Sequence, residues 1–392
     1  MKALVVGMGL QGKAVVHDLE QSSLIDEIIA ADLDVEQAKR YLQKREYHKT
    51  HVVQLNAAEE QELNHVVQSS GSQVVICLLP REFGFSVAQA ALQARIPFVS
   101  SNYAGRIAEL APEAEKRGVI ILPEMGLDPG IDLVLARLAV DELDEVHGLY
   151  SYGGGIPEPS CAGDNPFHYK ISWTFEGVLR TYQRAARLLK DGVETMIPGN
   201  DIFRDEYLHT IDMPDIGTLE AYPNGDAIRY IERFGLEKHL KNMGRFALRW
   251  PGHCRAWRTL IDLGFLEETP LDGESGALSP RQFLAKHLTP RLQFRENERD
   301  LAVLRILAWG LKDGKELKVT YDLIDYRNPQ TGFFAMNRTV GFTASIGAQM
   351  ILSGKITKAG VLSPAQDVPA QAFVEELKAR GIHIRRQSVN TS

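Results

Sequence analysis

Cysteine is scarce in this chain, with only Cys77, Cys161 and Cys254 among 392 residues, each far from the others. That spacing excludes a disulfide framework and a zinc ribbon, so a reducing compartment and no metal site are expected. Long apolar runs are missing as well. The opening MKALVVGMG enters a glycine loop after about five apolar residues, too short for a signal-peptide core or a membrane span, and a cytoplasmic protein without a membrane partner is expected. Nor is there a dense Lys/Arg stripe: the formal net charge is -7. The basic tail Lys378 to Arg386 reads as a solvated helix end followed by a strand, so nucleic acid is not an expected partner. Repeats and low-complexity runs are absent too. What remains is an ordinary globular composition, 44% hydrophobic and 24% charged, in a chain long enough for two domains.

The first third alternates short apolar strands with amphipathic helices. Strands are predicted at Ala3 to Val6, Glu27 to Ala31, Val74 to Leu78, Pro97 to Ser100 and Val119 to Leu122. Helices are predicted at Lys13 to Leu19, Val35 to Gln43, Phe85 to Ala94 and Ile107 to Lys116. This rhythm specifies an α/β fold with a doubly wound parallel sheet, a Rossmann domain over residues 1–123. A second α/β (α+β) domain follows over 124–335, where a helix at Ile131 to Asp141 leads into a region richer in aromatics, with a glycine cluster at 153–155 and many turn residues. Within it, a strand is expected at Glu316 to Tyr326 and helices at Leu240 to Phe246 and Arg255 to Leu263. The small, apolar helix Thr339 to Ile351 suits close packing on a sheet, so residues from about 336 to 392 are expected to complete the Rossmann domain.

A diphosphate must be met by charge without bulk, which a glycine turn from strand to helix provides through unpaired amide N–H groups. VVGMGLQG supplies Gly7 for the tight turn, Gly9 for close approach of the diphosphate and Gly12 for helix–sheet packing, with Leu10 and Gln11 between. Asp32, at the end of the second strand, stands where a carboxylate would bond a ribose 2′-OH and repel a 2′-phosphate. Leu33 and Asp34 follow it, with no arginine, so NAD is favoured over NADP. The plainer alternative is a ligand-free turn. Ligands reach an open parallel sheet at the carboxyl ends of its strands, which singles out Leu78, Leu79 and Pro80, then Ser101, Asn102 and Tyr103, then Glu124 to Gly130.

EMGLDPGID at Glu124 to Asp132, SYGGGIPEP at Ser151 to Pro159, DNPFHYKISW at Asp164 to Trp173, LRWPGH at Leu248 to His253, and TVGFTASIGAQMILSGKI from Thr339 lie in order along nearly the whole chain. Together they resemble the saccharopine dehydrogenase family, which includes saccharopine reductases and lysine 6-dehydrogenase. The resemblance implies a second lobe whose broad sheet often serves a homodimer, C-terminal helices that return to the Rossmann domain, and oxidation or formation of C–N bonds at the side-chain nitrogen of lysine or related amines.

Amine oxidation needs a group that takes the proton from nitrogen and later activates water. Asp128 is the first candidate because the matching Asp of saccharopine reductases lines the substrate pocket, as does the loop matched by Asn102 and Tyr103. From spacing alone, Asp128 is a turn carboxylate in LDPG, and Tyr103 is as readily a buried seam residue as a donor to the amine. Lys170 is a candidate base or carboxylate partner, its alternative being a surface lysine. Arg245 and Arg249 are candidate carboxylate clamps, and His253 a titrating group or a satisfied structural histidine. Gly153 and Trp173 complete the expected substrate-lining set. Two departures bear on substrate. Saccharopine reductases commonly have YPNRD, whose arginine binds a carboxylate, where this chain has Gly225 in YPNGD, and often a cysteine where it has Gly153. The expected reaction is therefore oxidative deamination of lysine, with saccharopine and then a carboxynorspermidine-type substrate as alternatives, and a non-catalytic NAD(H) sensor as the reading of another class.

Overall fold

A computed structural model describes residues 1–270 and 278–390. The chain forms two compact units, one of Met1–Arg137 with Asn337–Ile382 and the other of Leu138–Met336 with His383–Ser392. The first four strands of unit 1 are β1 (Lys2–Val6), β2 (Glu27–Asp32), β3 (Thr50–Gln54) and β4 (Val74–Cys77). They are followed by β5 (Phe98–Ser100) and β6 (Ile120–Leu122). With the short strand Gly360–Val361 they make one sheet in the order Gly360–Val361, β6, β5, β4, β1, β2, β3. Every pairing in it is parallel.

The inner strands are apolar throughout because helices cover both faces; Ala3 to Val6 and Val74 to Cys77 are wholly buried. β1 pairs with both β2 and β4, so the strand order reverses at its carboxyl end, the position at which such sheets take ligands. The helix Ala335–Leu352 packs on the helix Leu10–Gln21 as its small residues predict. A methyl at Gly341 would lie 2.7 Å from the Ala14 Cβ. Buried Asp18 fixes the join, accepting from Ser345 Oγ at 2.6 Å, Gln349 Nε2 at 3.0 Å and Arg380 Nε at 2.7 Å. The edge strand β3 and the helix Glu60–Ser69, whose Leu63, Val66 and Val67 are buried at helical spacing, are additions to the sequence reading.

Unit 2 contains β7 (Glu145–Pro157), β8 (Ala186–Lys190), β9 (Val193–Ile197), β10 (His209–Met213) and β11 (Gly217–Pro223). Then come β12 (Asn242–Arg249), β13 (Asp300–Lys312) and β14 (Lys315–Tyr326). Their sheet runs β10, β11, β12, β7, β13, β14 and ends with Ile384–Asn390, while the β8–β9 hairpin pairs with β12. The last strand thus joins unit 2 through antiparallel pairing with β14, so the tail is shared between units rather than returning whole to the Rossmann sheet.

One local expectation is corrected. Leu240 to Phe246 is not a helix: Asn242 to Arg249 is a central strand, parallel to β7 and antiparallel to β11. Burial on both faces removes the polar alternation by which a strand is told from a helix. The glycine cluster 153–155 lies inside the 13-residue β7. A methyl at Gly154 would meet the Leu248 carbonyl oxygen at 2.6 Å, and one at Gly155 would meet Met336 and Ser172 within 2.9 Å. Close approach of neighbours therefore explains Gly154 and Gly155. One face of the sheet is covered by the helices Phe175–Thr181, His253–Asp262 and Pro280–Leu288, whose apolar residues pack on Tyr222 and Ala247. Tyr152, Phe246, Leu248 and Val303 cluster on the opposite face.

Candidate functional site

The turn after β1 has the geometry of an anion cradle. Gly7 takes φ +99°, a left-handed conformation that a side chain resists. A methyl at Gly12 would stand 1.8 Å from the Gly7 carbonyl oxygen, so the helix can pack onto the turn only with glycine there. Gly9 differs: a methyl built on it has no atom within 4 Å, and the residue is exposed at the N-terminal end of the helix Leu10–Gln21. Open space over a bare amide at a helix start, where the helix dipole favours negative charge, fits the diphosphate of a dinucleotide. Leu10 is exposed and Gln11 half-buried beside it.

Asp32 closes this cradle. Its carboxylate accepts from Met8 N at 2.5 Å and from Asp34 N at 2.8 Å, and each oxygen keeps a further lone pair for a sugar hydroxyl. Lys13 lies within the field of the same acids. Burial lowers its pKa, and the charges of Asp32 and Asp34 oppose that shift.

The loops after β4, β5 and β6 are laced to this turn within unit 1. A Gly7 methyl would touch Leu79 at 3.0 Å, and Leu79 O accepts from Asn102 Nδ2 at 3.1 Å. Asn102 O in turn accepts from Glu124 N at 3.0 Å, while Met125 N donates to Ser100 O at 2.8 Å. Buried Glu124 accepts from Ala104 N at 3.3 Å, which orders the segment carrying Tyr103. Ser101, Asn102, Tyr103 and Asp128 are half-buried around these loops, Pro80 is exposed, and the Asp128–Pro129 peptide is cis. Asp132 was not among the expected site residues. It is 1% exposed, accepts from Gly130 N at 2.7 Å, and burial pushes its carboxyl up to about 7, with the charge of Glu124 adding to the rise.

In unit 2 the expected residues separate into different roles. The Lys170 ammonium lies 2.8 Å from Asp164 and 2.7 Å from Glu298. Burial alone would lower its pKa, but the two carboxylates outweigh burial and hold it above the ordinary lysine value. It is a fixed cation, which removes it as a base at neutral pH. His253 is fully buried between Tyr182 OH at 2.8 Å and Phe167 O at 2.7 Å. Burial, and secondarily the Arg249 charge, drive its pKa well down, so it is a neutral structural histidine. Arg245 is 4% exposed with its guanidinium 5.0 Å from the Tyr230 ring centre. Gly153 is buried on β7, opposite Ala247, and Trp173 is half-buried. Beside Gly225, Arg184 Nη2 donates to Asn224 Oδ1 at 2.5 Å, which brings a guanidinium next to the position that lacks one. Among the described residues no cluster of His, Cys, Asp and Glu is arranged to hold a metal ion, and no helix is long and apolar enough to cross a membrane.

Residues 3–122 match the model of the saccharopine dehydrogenase NADP binding domain, and residues 126–382 that of the saccharopine dehydrogenase C-terminal domain. The chain is 27% identical to alpha-aminoadipic semialdehyde synthase of Mus musculus over 99% of its own length, and it spans about half, 48%, of that relative's length. Its identity to saccharopine dehydrogenase [NADP(+), L-glutamate-forming] of Pyricularia oryzae is 29%, covering 81% of this chain and 84% of the relative. The apo structure of saccharopine dehydrogenase (L-Glu forming) from Saccharomyces cerevisiae superposes with a TM-score of 0.85 at 24% identity over 99% of both chains, which shows the shared fold. With both domain models matched in order on a glycine cradle and a mixed-sheet second unit, the chain belongs to the saccharopine dehydrogenase family.

Proposed function

We propose that this protein is a nicotinamide-dinucleotide oxidoreductase that oxidises a C–N bond at the side-chain nitrogen of a lysine-derived amine, with saccharopine the first candidate and free lysine the second. The observation that carries the dinucleotide reading is the contrast within the glycine turn: Gly12 is packed solid, whereas Gly9 faces open space at a helix start. The turn from Gly7 to Gly12 would hold the diphosphate and Asp32 the adenosine ribose, with Leu78, Leu79, Pro80 and Ser101 lining the path towards the ring. Two acids, Asp32 and Asp34, at the ribose end favour NAD over NADP, although the matched domain model is described as NADP binding.

When bound, the nicotinamide supplies the hydride acceptor. In this reading the Asp128 carboxylate takes the proton from the substrate ammonium, freeing the lone pair that drives hydride departure from the adjacent carbon. Once it has passed that proton to solvent, Asp128 accepts another from the water that adds to the imine and returns it to the departing nitrogen, to which Tyr103 donates a hydrogen bond at that stage. Collapse cuts the C–N bond: saccharopine gives glutamate and an aldehyde, whereas lysine gives ammonia and the same aldehyde. The activities for which the relatives are named support saccharopine, as does Arg184 beside Gly225. Gly225 itself, in place of an arginine side chain, favours the smaller substrate.

Reduced-nicotinamide absorbance tests this with saccharopine and lysine supplied separately, each with NAD and with NADP. One of the two is expected to give substrate-dependent reduction, falling about 100-fold to 10,000-fold in Asp128→Asn while dinucleotide binding persists. Absence of any substrate-dependent signal would make the protein a binding module and overturn the proposal.

A further inference from the structure

No arginine follows β2 to meet a 2′-phosphate, and two acids, Asp32 and Asp34, stand there instead. The fold nevertheless brings a cation to the same place from another element. Lys13 lies in the first turn of the helix Leu10–Gln21, directly after Gly12, and its side chain crosses to the helix Val35–Gln43 that follows β2. There its ammonium is 5.3 Å from the Tyr41 ring centre and 3.4 Å from Gln37 Oε1, and the Arg45 guanidinium is 5.4 Å from the same ring centre. The ring is itself fixed. Its hydroxyl donates to Lys13 O at 3.4 Å and meets the Tyr47 hydroxyl at 3.3 Å, and Tyr47 OH lies 2.7 Å from His17 Nδ1. Tyr41 is therefore a platform that holds the ammonium near the carboxyl end of β2, where the charges of Asp32 and Asp34 both act on it.

Three features mark this cation as held for a ligand. Lys13 is half-buried, yet among the described residues no carboxylate forms a direct ion pair with it. The two acids beside it are engaged by backbone: Asp32 accepts from Met8 N and Asp34 N, and Asp34 Oδ1 accepts from Gln37 N at 2.9 Å, capping the helix Val35–Gln43. The surroundings are open as well, with Leu33 64% exposed and Asp34 and Gln37 exposed beside it. Finally, the place is the one at which a carboxylate ending the second strand of such a sheet bonds the adenosine ribose. A phosphate on the 2′ oxygen there carries a charge of about -1.5 to -2. The two acids repel it, and the nearby ammonium attracts it.

We propose that Lys13 is a specificity-determining residue of the cradle, meeting the 2′-phosphate of a phosphorylated dinucleotide so that NADP is taken as well as NAD. Asp32 sets the preference for NAD, and Lys13 limits it. The inference rests on the dinucleotide reading above and is independent of the amine chemistry. The test is calorimetric titration of the full chain with NADH and with NADPH. Wild type is expected to bind both. In Lys13→Met, which keeps the apolar stem over Tyr41, the affinity for NADPH relative to NADH should fall at least about 10-fold, because one charge-assisted contact is lost for NADPH alone. Lys13→Arg, which keeps the charge, should retain most of that ratio, and Lys13→Gln carries the test should Lys13→Met misfold. A smaller change in the ratio, with both dinucleotides weakened alike or neither weakened, overturns the inference and makes Lys13 a counter-ion of the diphosphate or of the acids. A loss in Lys13→Arg as complete as in Lys13→Met overturns it too. Wild type that binds NADH but not NADPH removes the role of Lys13 and leaves the cradle standing, whereas binding of neither sinks the dinucleotide reading itself.

Discussion

Two alanine substitutions only three residues apart should have opposite signatures. At Gly12 a methyl would sit 1.8 Å from the Gly7 oxygen and 2.9 Å from its carbon. Non-bonded carbon contacts settle at roughly 3.5 Å, so the helix would have to retreat by about 1.5 Å from the turn. Overpacking of this kind costs about 1–3 kcal/mol or more, which for a unit of this size lowers Tm by roughly 2–4 °C per kcal/mol. At Gly9 the same methyl meets nothing within 4 Å, and the backbone, φ -67° and ψ -162°, is open to alanine. Gly9→Ala should therefore stay within about 0.5 kcal/mol of wild type in thermal denaturation. Its methyl would nevertheless occupy the space assigned to the diphosphate, and losing one or two charge-assisted N–H contacts there weakens binding by about 10-fold to 100-fold. Thermal melts and calorimetric titration with NADH and NADPH, run on both variants, separate these effects. A Gly9→Ala protein that binds dinucleotide as tightly as wild type would refute the cradle, because a turn without a ligand tolerates that methyl.

Three further expectations follow from the same geometry. Replacing Asp32 by Ser should raise the ratio of NADP to NAD efficiency by at least about 10-fold, since it removes a carboxylate that repels the 2′-phosphate; an unchanged ratio would assign Asp32 only to holding the Met8 and Asp34 amides. Asp132, raised from 3.8 to about 7, favours its protonated form in the fold, so its contribution is intact below pH ~4 and is lost as pH rises through 7. The loss is bounded at about 4 kcal/mol. Asp132→Asn should therefore gain stability relative to wild type between pH 5 and pH 8 in urea titrations, and a pH-independent difference would contradict the shift. Lys170→Arg should keep both ion pairs and leave the pH–rate profile unmoved, whereas a displaced limb would return Lys170 to proton transfer.

Most of the Rossmann unit was legible because its signals are local: apolar runs for buried strands, helical spacing between them, and glycines whose steric reason is written in VVGMGLQG. The loops that meet around Gly7 followed from the rule that parallel strands deliver ligands at their carboxyl ends, and the backbone bonds from Leu79 through Asn102 to Glu124 supply the detail. Unit 2 was harder to read. Its central strand Asn242–Arg249 is buried on both faces, so no alternation marked it, and Gly154 and Gly155 carry a packing reason that only neighbours distant along the chain, such as Leu248 and Met336, reveal. Lys170 is decided by Glu298, which lies 128 positions along the chain.

The claim that this cradle serves amine oxidation is tested most directly by isotope. Saccharopine and lysine carrying deuterium at the lysine-derived ε-carbon, the one that becomes the aldehyde, are each incubated with the protein and oxidised dinucleotide, and the reduced dinucleotide is analysed by mass spectrometry. The account predicts one deuterium in the reduced nicotinamide with one of these substrates. Substrate turnover with no deuterium recovered in the dinucleotide would contradict it.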